Sequence, residues 1–205
     1  MVFEDERFLA IDKPAGLAVH GGSGLSFGVI EALRASRPGE ELELVHRLDR
    51  DTSGVLVVAR DAATHRALSM QFERRETAKS YVALAAGHPP KDAGEIDLPI
   101  RKDLVNTPLQ VVDFVHGRPS VTRWRVTERL DAPSRTRFAL EPVTGRSHQL
   151  RVHLVAIGHP ILGDDLYAPP EVRAMAPRLC LHAERLEFTH PASGARVAFR
   201  APAPF

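Results

Sequence analysis

VHRLDRDTSGVLVVAR, running from Val45 to Arg60, is the stretch around which the rest of the chain is arranged. Val55 to Ala59 is an unbroken apolar run between Gly54 and Arg60, the pattern of a short strand covered on both faces. Asp49 therefore stands in a polar loop at the mouth of a core element. A loop fixed by a rigid strand can hold a reacting group within a fraction of an ångström, which makes Asp49 the candidate reactive carboxylate. Asp49, Asp51, Thr52 and Ser53 are equally the residue types that cap turns through bonds to nearby backbone. Spacing leaves both readings open.

Composition sets the frame. The 205 residues, 43% of them hydrophobic, suffice for one domain with a sizeable core and room for two lobes. The one cysteine, Cys180, excludes an intrachain disulfide framework and a Cys-rich zinc site. No apolar run approaches the roughly 20 residues that cross a bilayer, and the opening MVFEDERFLAID is acidic where a signal peptide is basic. A reducing, cytoplasmic setting without membrane association is expected, with a monomer as the default state.

The net charge of +1 gives no support for a polyanion partner, but its distribution does. Residues 1–45 carry eight acids against Arg7, Lys13, Arg34 and Arg37, whereas residues 116–153 carry eight arginines against Glu128, Asp131 and Glu141. Guanidinium groups bind phosphate oxygens in pairs, so this arginine-rich segment suits nucleic acid. A solvated strand face is the alternative.

Taken in order, Phe8 to Ile11 reads as a strand and Lys13-Pro14-Ala15-Gly16 as a turn. Gly21 to Gly24 is a flexible stretch without the Lys-Ser/Thr pair of a phosphate loop. Ser26 to Arg37 has helical spacing, with Ser26 as a cap and Pro38-Gly39 as a stop. Asp61 caps a second helix from Ala62 to Arg75, and Lys79 to Leu84 is a strand carrying Tyr81. Residues 88–118 read as two loops around a short strand, Glu95 to Ile100. Ser120 to Leu130 and Arg135 to Val143 alternate like an antiparallel hairpin whose arginines, Arg123 and Arg125 among them, would grip RNA. A helix capped by Ser147 carries Leu150, Leu154 and Ile157 as its buried stripe, and it ends at Gly158. His148 and Arg151 share a face of it. Arg178 to Thr189 and Arg196 to Arg200 are closing strands joined by a turn at Pro191 to Gly194.

Four ordered motifs resemble those of the RluA family of RNA pseudouridine synthases: His46-Arg47-Leu48-Asp49 followed by Thr52-Ser53-Gly54, the KPxGLxVH opening at Lys13, KxYxA at Lys79, and TGRxHQxRxH from Thr144 onward through Gly163-Asp164 and Tyr167. The resemblance runs from about Phe8 to Gly194. It implies an α+β fold: a mixed, largely antiparallel central sheet with flanking helices around a catalytic cleft, one catalytic domain without an S4-like RNA-binding domain. It further implies that Asp49 is catalytic, that Tyr81 lies against the target base, that Arg151 pairs with the catalytic acid, that Leu181 buttresses the tyrosine, and that Arg47 fills the space of the flipped nucleotide. In a strand a tyrosine ordinarily packs in the core, so Tyr81's role rests on the resemblance. His46, Thr52, Arg146 and His148 join Arg123 and Arg125 as expected substrate contacts.

The reaction so implied breaks the N1–C1′ bond of a uridine within RNA and joins C5 to C1′, requiring neither cofactor nor metal. Asp49 would act at the ribose, as nucleophile at C1′ or base at C2′, and Arg151 would keep it ionised. The base must first leave its stack. The short form with VHRLDxxTSGVxVVA and QFxxRxxxKxYVA is most similar to the type acting on both 23S ribosomal RNA and a tRNA anticodon stem-loop. Two other readings stand beside it. One is a non-catalytic RNA-binding module. The other is a metal-dependent hydrolase, against which His148 and His153, five apart with no glutamate between, lack the HExxH spacing.

Overall fold

The computed structural model describes residues 1–21 and 27–205. The chain opens with β1 (Phe3–Glu4), β2 (Phe8–Lys13), α1 (Val29–Ser36), β3 (Glu43–Leu44), β4 (Ser53–Ala59) and α2 (Ala62–Glu73). It continues with β5 (Ala78–Ala86), β6 (Ala93–Asp97), β7 (Ile100–Lys102), β8 (Gln110–Val112), β9 (Val121–Leu130) and β10 (Arg135–Pro142). Then come α3 (Gln149–Ala156), α4 (Pro170–Arg173), β11 (Leu181–Thr189) and β12 (Arg196–Arg200). The fold class is α+β, and every pair whose register is described is antiparallel. Two compact units share the chain: Met1–Lys79 with Ala183–Pro204, and Ser80–His182 with Phe205.

In the first unit β4 is flanked by β2 and β11, with β3 on its end, β1 outside β2 and β12 outside β11. All of β4 is buried, because both faces of the sheet are covered. Val55, Val57 and Ala59 join Phe8 and Ala10 against Leu68 of α2, Phe188 and Phe199. Val58 and Leu9 pack on the opposite face against Ile30 of α1 and Leu42. A strand buried on both faces has no polar positions, which is why Val55 to Ala59 shows no alternation.

Asp61 caps α2 as expected, its carboxylate accepting from the Thr64 backbone N–H at 2.7 Å and the Thr64 hydroxyl at 2.8 Å. The helix ends two residues earlier than Arg75, which turns into the left-handed region at φ 60°. The first helix is shorter than its periodicity predicts, beginning at Val29 after Gly28, whose N–H donates to the Glu31 carboxylate at 2.9 Å. The glycine-rich stretch from Gly22 to Gly24 and the expected Ser26 cap lie outside the described residues.

In the second unit the strand order is β5-β10-β9-β6, with β7 and β8 as a separate two-stranded ribbon. Phe138, Leu140, Leu150, Leu154, Ile161 and Leu181 form its core, with Tyr81 and Trp124 packed against them. The expected hairpin is present, and its imperfect phase has a cause. The register of β10 on β9 shifts between Arg137 and Phe138, which leaves Thr127 as the extra residue of a bulge. Two expectations need correction. Residues 88–118 contain three short strands, not one, each too brief for alternation to reveal. Ser147 does not cap α3; His148 takes that position with φ 53° and no side-chain cap bond, while the Gln149 side chain accepts the Arg146 N–H just before the helix.

Gly54 is the tightest constraint on β4. Its φ is +117°, and an added Cβ would fall on the backbone of Ala183 in β11. Gly54→Ala should therefore cost upwards of about 3 kcal/mol, from backbone strain together with the clash. Equilibrium unfolding in urea would show this as a lowered midpoint.

Candidate active site

The Asp49 loop is held from below by a lysine. Lys13, with no exposed surface, donates from Nζ to the carbonyls of Pro14 at 2.9 Å, Leu17 at 2.7 Å and Arg50 at 2.9 Å. All three ammonium protons are thereby used, and the turn after β2 is tied to the residue following Asp49. Burial pushes this amine down to about 8, against the pull of the nearby Asp51 and Asp49 charges. The Thr52 N–H closes the loop on the Asp49 carbonyl at 3.2 Å, so Asp49, half-buried, sits in a turn fixed at both ends. Asp51 takes the Arg50 guanidinium at 3.0 Å.

Sequence reasoning treated Lys13 only as part of a turn. The available signal was a lysine directly continuing the strand FLAID, where an unpartnered charge would be costly.

Three neighbours of Asp49 were expected to meet substrate, and the structure separates them. Arg47 is exposed and at liberty to do so. Thr52 is 2% exposed, with its hydroxyl buried. His46 is a supporting group: its Nε2 accepts the Val57 N–H of β4 at 2.9 Å, and its ring stacks on Phe72 of α2 with centroids 4.6 Å apart. Among these three expected contacts, Arg47 alone is exposed, while His46 is tied to β4 and α2 and Thr52 is buried.

In the second unit, the TGRxHQxRxH motif forms a closed polar network. Gln149, 3% exposed, accepts through Oε1 from the Thr144 hydroxyl at 2.7 Å and the Arg146 N–H at 3.0 Å. Its amide donates to the Val121 carbonyl at 2.9 Å and the Thr122 hydroxyl oxygen at 3.0 Å. His153 donates from Nε2 to the Leu98 carbonyl at 3.0 Å, which leaves Nδ1 to accept from the Thr122 hydroxyl at 2.9 Å. Burial lowers the His153 pKa, and the ring stays neutral.

Arg151 is 1% exposed and forms a two-point ion pair with Asp164, Nε to Oδ2 at 2.8 Å and Nη2 to Oδ1 at 2.5 Å, with Asp165 at 3.2 Å. Asp164 also accepts the N–H groups of Leu166 and Tyr167. The expected shared face of His148 and Arg151 is real, and the two converge on Tyr167. His148 Nδ1 lies 2.6 Å from its hydroxyl, and the Arg151 guanidinium lies 5.1 Å from its ring centroid. Asp164 and Tyr167 were not singled out from sequence, although both stand in the quoted motif.

The hairpin arginines are less available than their number implies. Arg123 pairs with Glu95 at 3.0 Å, Arg129 with Asp92 at 2.7 Å and Arg137 with Glu128 at 3.0 Å. Arg125 is exposed and has no acid partner among the described residues. Arg146 rests its Nε on the Pro119 carbonyl at 3.4 Å. Among the described residues no group of three or more His, Cys, Asp or Glu side chains could hold a metal ion. No helix among them is long and apolar enough to cross a membrane.

These two motif-built centres define a pseudouridine synthase: a family model described as RNA pseudouridylate synthase matches residues 7–156, and the chain belongs to that family. Within it the chain is of the RluA type. It is 47% identical over 205 residues to the dual-specificity RNA pseudouridine synthase RluA of Escherichia coli strain K12, covering 100% of this chain and 93% of the relative. The same enzyme of Haemophilus influenzae strain Rd is 43% identical with the same coverage. Among solved structures, human RNA pseudouridylate synthase domain containing 1 superposes with a TM-score of 0.84 at 30% identity, over 100% of this chain and 83% of that one. Human RNA pseudouridylate synthase domain containing 4 gives 0.80 at 29% identity, over 100% and 88%.

His46 makes the fold sensitive to acid. Burial, and then the Lys79 charge, bring its pKa down to about 3, whereas an unfolded histidine titrates near 6.5. Between those values unfolding takes up a proton, so stability is lost as pH falls through that window, amounting to about 2 kcal/mol by pH 5. A His46→Leu variant should be less stable at pH 7, because the Val57 N–H loses its acceptor. The gap to the parent should then narrow by about 2 kcal/mol between pH 7 and pH 5. Urea titrations at both values would measure it.

Proposed function

We propose that Asp49 is the carboxylate with which this RNA pseudouridine synthase acts on the ribose of its target uridine, as nucleophile at C1′ or base at C2′. The observation that carries this reading is the Asp49 loop itself: it leads into a strand buried on both faces, and its Arg50 carbonyl is tied to Lys13, which also holds the Pro14 and Leu17 carbonyls. A carboxylate so mounted undergoes little reorganisation when it reacts, which is what positioning contributes to catalysis. The N1–C1′ bond breaks, the uracil turns, C5 bonds to C1′, and the proton displaced from C5 is balanced by one gained at N1.

The family resemblance assigns the remaining parts. Tyr81, packed on the second unit's core beside the cluster that includes Leu181, meets the detached base. Arg151 supplies the cation of the reaction centre, with Asp164 and Tyr167 fixing its plane. Arg47, exposed and flat, takes the place of the flipped nucleotide. The RNA targets are structured uridines of 23S ribosomal RNA and of a tRNA anticodon stem-loop, and the working form is a cytoplasmic monomer that needs no metal.

Asp49→Asn tests the central assignment. The variant should fold and bind RNA as the parent does while forming no pseudouridine, read as tritium release from C5-labelled uridine in tRNA; ready product formation would remove Asp49 from its role. Arg151→Met is a poor second test, because it strands the buried Asp164 charge at a cost of about 3–5 kcal/mol to the fold.

The hairpin is tested by salt. Arg125→Ala should reduce the slope of log affinity against log salt by about one unit, and Arg123→Ala, whose guanidinium is already matched to Glu95, by less. Equal slopes in all three proteins would reduce the hairpin to a structural element.

A further inference from the structure

Tyr167 stands where three groups of the second unit meet. Its ring lies beneath Arg151, whose guanidinium carbon is 5.1 Å from the centroid. Its hydroxyl accepts the Gln110 N–H at the start of β8 at 2.9 Å. The same oxygen is 2.6 Å from Nδ1 of His148, the two rings meeting edge to face at 84° with centroids 5.6 Å apart. Asp164, which grips Arg151 at two points, also accepts the Tyr167 backbone N–H at 3.1 Å, so one carboxylate sets both the guanidinium and the ring below it.

The hydroxyl dictates the state of the histidine. A phenol oxygen already receiving the Gln110 proton has its own proton to give, and 2.6 Å is shorter than the usual span of a bond donated by nitrogen. Nδ1 is then the acceptor, the ring proton sits on Nε2, and the imidazole is neutral. A second proton on Nδ1 would leave two donors facing each other. It would also set a positive imidazole and Arg151 against the same ring, where like charges repel.

The backbone points the same way. His148 has φ 53°, a left-handed conformation that glycine or asparagine adopts more readily. It begins α3 without a side-chain bond to the helix, so capping does not account for the imidazole, whereas the bond to Tyr167 does. The charges around the pair are Arg146 and Arg151 on its own segment and Asp164 and Asp165 on the loop that brings Tyr167. β8 adds Gln110, Val111 and Val112, which do not titrate; β9 meets α3 through Thr122, and β10 through Phe138 and Leu140.

We propose that Tyr167 is a positioning residue of the reaction centre: its ring sets the plane of Arg151, and its hydroxyl holds His148 as the neutral Nε2–H tautomer, which keeps a second positive charge from forming against that arginine. The proposal rests on the reading of this protein as an RNA pseudouridine synthase and extends it to the hydrogen bond that sets the charge of the centre.

Two measurements on the full chain test it. Proton–nitrogen correlation spectra of protein labelled at its histidine nitrogens, with His148→Asn for assignment, should show the His148 proton on Nε2 and no titration near the ordinary value of about 6.5. Turnover on unmodified tRNA transcripts is read as tritium release from C5-labelled uridine. Tyr167→Phe keeps the ring beneath Arg151 and removes the hydroxyl. It should hold KM within about twofold of the parent, lower kcat about tenfold, the worth of one hydrogen bond, and fall further than the parent below about pH 6.5 as His148 becomes charged. The double variant Tyr167→Phe/His148→Asn should lose that acid dependence, because asparagine tolerates the left-handed backbone and carries no titrating ring. A parental kcat in Tyr167→Phe, or an acid dependence that survives in the double variant, would overturn the proposal while leaving the enzyme reading intact. So would a ring proton on Nδ1 in the parent. A parent that keeps the Nε2–H tautomer yet forms no pseudouridine would sink the enzyme reading, and the role proposed for Tyr167 with it.

Discussion

In the first unit the loop that carries Asp49 is fastened by one buried ammonium. Lys13 has no exposed surface, so its charge must find oxygen atoms inside the protein, and it finds three backbone carbonyls from two distant parts of the chain. Backbone carbonyls cannot rotate away as side chains can. The requirement that each proton meet one of them therefore fixes the turn after β2 and the residue beside Asp49 in the same place. Desolvation opposes the charge, and the charges of Asp51 and Asp49 support it. The Asp49 loop and its fastening are therefore electrostatically coupled.

The second unit solves the complementary problem with a cation of a different kind. Arg151 is as buried as Lys13, but its planar guanidinium is met by a carboxylate on two points and by an aromatic ring. A guanidinium gripped in this way keeps one orientation. The polar network of Gln149, Thr122 and His153 fixes the helix that carries it, leaving no donor on the glutamine amide unused. In each unit a buried cation is held by oxygen atoms of its own unit.

Much of this was legible in the chain, and the reason differs from place to place. β4, α2 and the β9–β10 pair were readable because their periodicity is local and long enough to repeat. The strands between Ala93 and Val112 were not, since runs of three to five residues carry no period. The Asp49 loop was legible through its motif, whereas Lys13 was hidden because burial of a lysine depends on carbonyls up to 37 positions away. Motif membership does not by itself divide the roles. His46 and Thr52 stand in the same motif as Asp49 but are tied into or buried in the fold, because a short signature records every residue the geometry needs without saying what each one does. Asp164 shows the converse, a partner in plain view whose task only the ion pair discloses.

The internal pairing of the hairpin has a consequence for life among abundant transcripts. With Arg123, Arg129 and Arg137 each neutralised by a neighbouring acid, and a net charge of +1, the protein lacks the long-range field that would glue it to every polyanion it meets. Residence on a bystander molecule is then brief, because few counterions are released on contact. Discrimination is left to short-range fit.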